Sequence, residues 1–352
     1  MMEALFSDLG AGAIFAWIAL PVLALAVPRT EGCEPSSRCR ALTLVLLLGA
    51  GLFVLPLVRR ATELGADAPV PGALAGPIVA ARTASVATPL GEVSLLALAG
   101  AVWLAIAAVG AARVLLSAAF VRRILRRAEV APPALAQRLA ALAKRWGLVA
   151  PRLLVSRDCA VPFTTGALRP SVVVPRALVD LLSPAEVELV LLHELAHVER
   201  RDLVRNAVLA VPRILFAFHP TACRLLEDVC LARELAVDAR VGEIAPDAYP
   251  RVLLDTAHHA RFGAPVRGAV AMYRSDLGAR LAALSDRAPR RPVSILRPLL
   301  FAALVTSSAI AAPRLPDAPR TLAPTERAAR PLKHATRSLS LIGGTQECHG
   351  HD

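Results

Sequence analysis

Three stretches of the chain, residues 9–27, 41–58 and 93–112, carry no charged side chain at all. Each approaches the roughly 20 apolar residues that cross the hydrocarbon core of a bilayer. A fourth uncharged run, 298–312, is shorter and reaches spanning length only if Arg297 snorkels to the interface, which gives a fourth span over 293–312. Glu3 and Asp8 precede the first run without a basic segment, so that run is expected to be a retained span, not a cleaved leader. Over 352 residues the chain is 55% hydrophobic. Its mean hydropathy of +0.54 is too high for an ordinary soluble domain.

The formal charge of +12 is almost wholly arginine, lysine being limited to Lys144 and Lys333. The arginines flank apolar runs and form no separate basic patch, so membrane anchoring, with the lipid bilayer as partner, is expected and direct nucleic-acid binding is not. Arg122, Arg123, Arg126 and Arg127 follow the third run, and Arg287, Arg290 and Arg291 precede the fourth. By the positive-inside rule the segment between them is cytoplasmic and both termini lie outside a plasma membrane. Against this, Arg59 and Arg60 begin an external loop and six basic residues follow position 312.

The organisation is therefore a membrane region, 1–112, with three spans; a working domain, 113–292; a fourth span, 293–312; and a polar tail, 313–352, with the composition of a disordered segment. The internal loop 28–40 holds Cys33 and Cys39, expected to be reduced thiols and a poor metal site. The loop 59–92 reads as an external connector. The terminal Cys348-His349-Gly350-His351-Asp352 is more readily a solvated tail than a metal site.

Within the working domain, Leu135, Leu139, Leu142 and Trp146 fall at helical spacing and Gly147 ends that helix. Arg152–Ser156 and Ser171–Pro175 read as a small β hairpin, either purely structural or an edge that holds a substrate chain extended. Residues 203–218 are apolar but interrupted by Arg205, Asn206, Pro212 and Arg213, which suits a core helix or one leaning on the bilayer.

The chemistry is concentrated in a helix over 183–201. Ser183 suits the N-cap, Pro184 the first turn and Glu186 the acid of a capping box. Ten residues on stands His193-Glu194-Leu195-Ala196-His197. Positions i and i+4 share a helix face, so both imidazoles can reach one metal ion, with Glu194 placed to act as general base on a water. The alternative, two solvated histidines at a charged helix end, sits poorly with the apolar body Val187, Leu189, Val190, Leu191, Leu192. Catalytic zinc takes three protein ligands and keeps a position for water. Glu234, on a helix expected over 221–241, is the best third ligand, and Asp238 one turn later can receive a ring proton from a ligating histidine. The bland reading pairs these two carboxylates with Arg233 and Arg240 at the surface.

The run 162–170, the strand ending at Pro175, His193 through Asp202, His219-Pro220 and Arg233 through Asp238 together resemble the membrane metallopeptidase domain of the BlaR/MecR-type sensor-transducers, over about 90–312. The H-E-x-x-H…E-x-x-x-D pattern is similar to that of the HtpX and CAAX-prenyl membrane proteases too. The resemblance implies His193, His197 and Glu234 as ligands of Zn²⁺, Glu194 as base and Asp238 as support. It also implies an internal zinc domain whose proteolysis, triggered from outside, leads to loss of a transcriptional repressor. With about 40 residues after the fourth span, no penicillin-binding domain is expected in this sequence. His219 or an arginine is a candidate for stabilising the oxyanion.

The expected fold is thus mainly α: a polytopic membrane protein with about four transmembrane helices and an inserted α+β, gluzincin-like zinc peptidase domain carrying a small hairpin. The expected function is zinc-dependent hydrolysis of peptide bonds in a cytoplasmic regulator or in the chain itself. A quality-control protease of the HtpX type and a zinc-binding signalling scaffold without proteolysis are the alternatives.

Overall fold

The computed structural model describes residues 2–27, 33–62, 85–88, 91–262, 277–286 and 290–310. Most of the loop 59–92, the tail 313–352 with its Cys-His cluster, and Arg287 lie outside the described residues.

Three long helices come first: α1 (Met2–Ala24), α2 (Pro35–Thr62) and, after a hairpin of β1 (Ser85–Thr88) and β2 (Gly91–Ser94), α3 (Leu95–Arg127). Among the described residues, two helices are long and apolar enough to cross a membrane, over Pro35–Val54 and Leu95–Arg127, whereas the apolar part of α1, Asp8–Ala24, is shorter. The last helix, α12 (Leu296–Ile310), covers the fourth apolar run. α1 and α3 meet at glycines. A Cβ on Gly100 would collide with the Phe6 carbonyl oxygen, and one on Gly10 with that of Leu96. Small residues one turn apart are what allow two helix backbones to approach so closely. A core of Leu20, Leu23, Leu42, Leu46 and Phe53 binds α1 to α2.

At 33 residues α3 is about 50 Å long, more than the ~30 Å hydrocarbon thickness. Its far end is buried against a sheet of four strands, β3 (Glu129–Val130), β4 (Arg152–Ser156), β5 (Phe163–Thr165) and β6 (Ser171–Pro175), in the order β3-β4-β6-β5. Ile124 packs on Leu154 and Val173 on one face. The other face, with Leu153, Val155, Val172 and Val174, meets α4 (Pro133–Arg145), α5 (Arg176–Leu181) and α6 (Pro184–Glu199).

The hairpin expected from Arg152–Ser156 and Ser171–Pro175 is corrected here. These two strands pair in parallel, Arg152 against Ser171 through Ser156 against Pro175. Both are covered on both faces, so they read as continuous apolar runs, which is the habit of parallel strands. The antiparallel partner of β6 is β5, and Gly166, at φ +90°, makes the turn between them.

α4 ends as its sequence suggests, with Gly147 at φ +67° and the Leu148 N–H donating to the Ala143 carbonyl at 2.9 Å. α6 has the full capping box. Ser183 Oγ accepts from the Glu186 N–H and the Glu186 carboxylate accepts from the Ser183 N–H at 2.8 Å. After it come α7 (Asp202–Val208), α8 (Ala210–Leu215), α9 (Pro220–Gly242), α10 (Tyr249–Phe262) and α11 (Leu277–Ser285). The stretch read as one helix over 203–218 is two short ones.

Replacing Gly100 with valine should force α1 and α3 apart and lower the thermal midpoint of the detergent-solubilised protein, by overpacking worth about 1–3 kcal/mol. Gly51→Ala, whose Cβ would meet nothing within 4 Å, should not lower it.

Candidate metal centre

α6 delivers His193, Glu194 and His197 from its last two turns because its other face is locked into the core by Val187, Val190, Leu191 and Leu195. α9 crosses it and contributes Glu234 and Asp238, whose residues are only 7% and 1% exposed. His193 Nε2 lies 3.5 Å from Glu234 Oε2, and His197 Nε2 lies 3.8 Å from Glu234 Oε1. One ligand atom from each of the three residues falls within 4.8 Å of the others, a group able to hold a metal ion. Tetrahedral zinc with bonds of about 2.0–2.1 Å separates its ligand atoms by about 3.3 Å, which the two histidine–carboxylate contacts approach, each to a different oxygen of Glu234, while the set as a whole is looser.

The outer hydrogen bonds decide which ring nitrogens are available. Tyr249 Oη donates its single proton to Asp238 Oδ1 at 2.6 Å, so its 2.8 Å contact with His193 Nδ1 must be accepted from that ring. His197 Nδ1 faces Asp202 Oδ2 at 3.0 Å, and a carboxylate can only accept. Both rings thus carry hydrogen on Nδ1 and turn Nε2, the nitrogen a metal would take in place of a proton, toward Glu234. That is the tautomer a metal requires, held by the kind of outer partners that orient ligating histidines.

Asp202 reaches His197 through a strained turn. Arg201 has φ +54°, the only positive value at a non-glycine position among the described residues, and it folds the chain back so that Asp202 meets the preceding helix. Asp202 also accepts from Arg205 at 2.9 Å, and burial is outweighed by His197 and Arg200 to hold its carboxyl below the usual range. Asp238 is gripped by Arg280 of α11, with Nε and Nη2 each at 2.7 Å. Arg280 is itself 1% exposed and lies 3.6 Å from Glu234. Burial alone would raise the Glu234 pKa. His197, His193, Arg233 and Arg280 outweigh it and hold the carboxyl well below the usual range, so Glu234 is an anion.

Glu194 is 4% exposed, and the Thr164 hydroxyl of β5 donates to its Oε2 at 2.6 Å. β5 is the terminal strand of the sheet and runs beside this carboxylate. A small pocket opens here, walled by Pro162, Val190, Val252, Leu253 and Thr256 and sharing His193, Glu194 and Tyr249 with the cluster.

All five residues singled out in the sequence meet at this place. Arg233 does contact Glu234, at 3.3 Å, but Arg240 turns away to Glu199 and the Trp146 ring. Of the candidates for stabilising the oxyanion, His219 lies away from the cluster. His219 caps the far end of α9, accepting from the Ala222 N–H through Nδ1, fifteen residues and therefore about 22 Å from Glu234. Asp202, Tyr249, Arg280 and Thr164 were not singled out. Only Asp202 lies close enough in the chain to His197 to have been suspected.

Among curated proteins, the chain is 30% identical over 92 residues to the regulatory protein BlaR1 of Bacillus licheniformis, covering 26% of this chain and 15% of that protein. It is 34% identical over 59 residues to the methicillin resistance MecR1 protein of Staphylococcus aureus, covering 17% of this chain and 10% of that protein. The chain therefore spans only a small part of the length of these relatives. Among solved structures, the crystal structure of S. mikatae Ste24p aligns with a TM-score of 0.33 at 15% identity, over 76% of this chain and 80% of that one. The model of the BlaR1 peptidase M56 family matches residues 69–284, which include the whole histidine–carboxylate cluster, and the chain belongs to that family of metallopeptidases.

Proposed function

We propose that the chain is an integral-membrane zinc endopeptidase of the regulatory type, with His193, His197 and Glu234 as zinc ligands, Glu194 as general base and Asp238 holding His193 through Tyr249. The observation that carries this reading is the commitment of both Nδ1 atoms to outer acceptors, which leaves two Nε2 atoms and an anionic carboxylate grouped closely enough to share one ion. Four spans, over 9–27, 41–58, 93–112 and 293–312, frame a cytoplasmic peptidase domain at 113–292. The substrate is a cytoplasmic regulator, such as a transcriptional repressor, or the chain itself.

Zn²⁺ bound there would bring the pKa of a water toward neutrality and polarise the scissile carbonyl. Glu194 then takes a proton from the attacking water and delivers it to the departing amine, while the carbonyl carbon gains the water oxygen and loses the amine nitrogen. The Thr164 hydroxyl fixes Oε2 and leaves Oε1 for this transfer. β5, three residues long at the sheet margin, is suited to hold a substrate backbone extended, and the neighbouring pocket favours an apolar side chain.

Glu194→Ala should keep its metal, measured by elemental analysis of the purified full-length protein, while cleavage falls about 10²–10⁴-fold, the usual worth of a general base. His193→Ala should lose the metal. Cleavage by Glu194→Ala at the wild-type rate would sink the assignment.

Tyr249→Phe should leave the fold in place but break the bridge from Asp238 to His193. Zinc affinity, read by competition with a chromophoric chelator, should weaken about 10–100-fold, as for other outer partners of ligating histidines.

A further inference from the structure

The chain between the two halves of the metal centre follows an unexpected path. From Asp202 it descends through α7 and α8, turns at Phe216 to His219, and returns along α9 to Glu234. Leu209 keeps helical backbone angles, so the descending limb is nearly continuous. The turn lies deep among the long helices. Trp103 Nε1 donates to the Leu215 carbonyl at 2.9 Å, and Trp103 stands near the middle of the uncharged run 93–112. Gly110 of α3 touches Ile214 and Ala217. Phe216 packs edge-on to Phe53 of α2, and the His219 ring sits 4.5 Å from that of Trp17 of α1.

We propose that residues 202–233 form a re-entrant hairpin whose middle, about 206–224, is embedded in the acyl chains of one leaflet, entering and leaving on the side of the metal centre. The inference rests on the membrane reading of α1, α2 and α3 given above and goes beyond it. The polarity of the descending limb is the reverse of a helix facing water. Its polar side chains are turned into the protein: Arg205 to Asp202, Asn206 to Arg233, and Arg213 to the Cys230 sulfur. Its outward side chains are Val204, Val208, Val211 and Phe218, each about half exposed. The first three follow i, i+4, i+7 spacing, one continuous helical face. The long helices that the hairpin meets at Trp17 and Trp103 also expose apolar side chains, Ile18 on α1 and Val102 and Leu104 on α3. Lipid that covers those residues covers these as well.

The returning limb marks where the hairpin leaves the hydrocarbon. Asp228 pairs with Arg38 at 3.3 Å, in the first turn of α2 and just before its uncharged run. Arg224 and Glu227, exposed within about 6 Å of axial rise from Asp228, are within snorkelling reach of the same level. Glu234 is six residues, about 9 Å, further along. A polar layer of about 5–7 Å covers each side of a bilayer, so the metal centre sits at its outer margin and a substrate is cut close to the membrane surface.

The test uses the full-length protein in vesicles of phosphatidylcholine and phosphatidylglycerol doped with a phospholipid bearing a diazirine midway along one acyl chain. After illumination and trypsin digestion, adducts are mapped by mass spectrometry. The expected result is labelling of peptides 206–213 and 214–224 at a yield comparable to peptides from α1 and α3. Peptide 158–176, which carries the 95% exposed Leu168, should stay unlabelled. Adducts on α1 and α3 with none over 202–224 overturn the hairpin and leave the membrane reading standing. An absence of adducts on α1 and α3 removes both. Labelling of 158–176 at the same yield as 206–213 overturns the hairpin too, because exposure alone would then account for it.

Discussion

Everything in the catalytic half of this molecule depends on two imidazole rings being unable to turn. A histidine at the end of a helix has two nitrogens of nearly equal reach, and either can face a metal. Here Asp202 takes the Nδ1 proton of His197, and Tyr249, itself spent on Asp238, takes that of His193. The two Nε2 atoms are thereby aimed at Glu234 before any ion arrives. Fixing a donor in advance removes the ordering entropy that a free side chain would have to give up on binding.

Such an arrangement places several charges where water is scarce, and a buried carboxylate is costly unless compensated. The compensation comes from arginines on other elements. Arg280 reaches in from α11 with a bidentate grip on Asp238 and a longer contact to Glu234, while Arg233 covers the other oxygen of Glu234. Replacing Arg280 with an uncharged group would take away the guanidinium on Asp238, leaving it the Tyr249 hydroxyl, and one of the two on Glu234. The family match ends at residue 284, so α11 up to Arg280 falls inside it.

The sequence made the local features legible because their causes are local. Ser183, Pro184 and Glu186 announce the start of α6, and Gly147 the end of α4, because caps are satisfied within one turn. His193, His197 and Glu234 could be nominated together because metal ligation imposes its own spacing. The strand pairing could not be read the same way. Val172, Val173 and Val174 are apolar in succession, and sequence shows neither which strand lies beside them nor in which direction. Tyr249 and Arg280 were invisible for a related reason. Their roles arise from contacts 56 residues back to His193 and 42 residues back to Asp238, and neither lies in a motif that announces the partner. His219 was misleading because its neighbour Pro220 signals a helix start, and the cap, not the chemistry, is what the imidazole serves there.

The long helices reach the candidate site by two separate routes. Along the first, the end of α3 is buried under one face of the sheet through Ile124, and β5 of that sheet holds Glu194 through Thr164. Along the second, α9 lies against α2 through Val229 and the Arg38–Asp228 pair, and the same helix carries Glu234 and Asp238. The candidate base is thus referenced to α3 and the candidate carboxylate ligand to α2. Packed interfaces shift between discrete arrangements and do not flex evenly, so a change in how α2 and α3 pack would alter the distance between these two carboxylates. A centre suspended in this way takes its geometry from the long helices as well as from the sheet and helices around it.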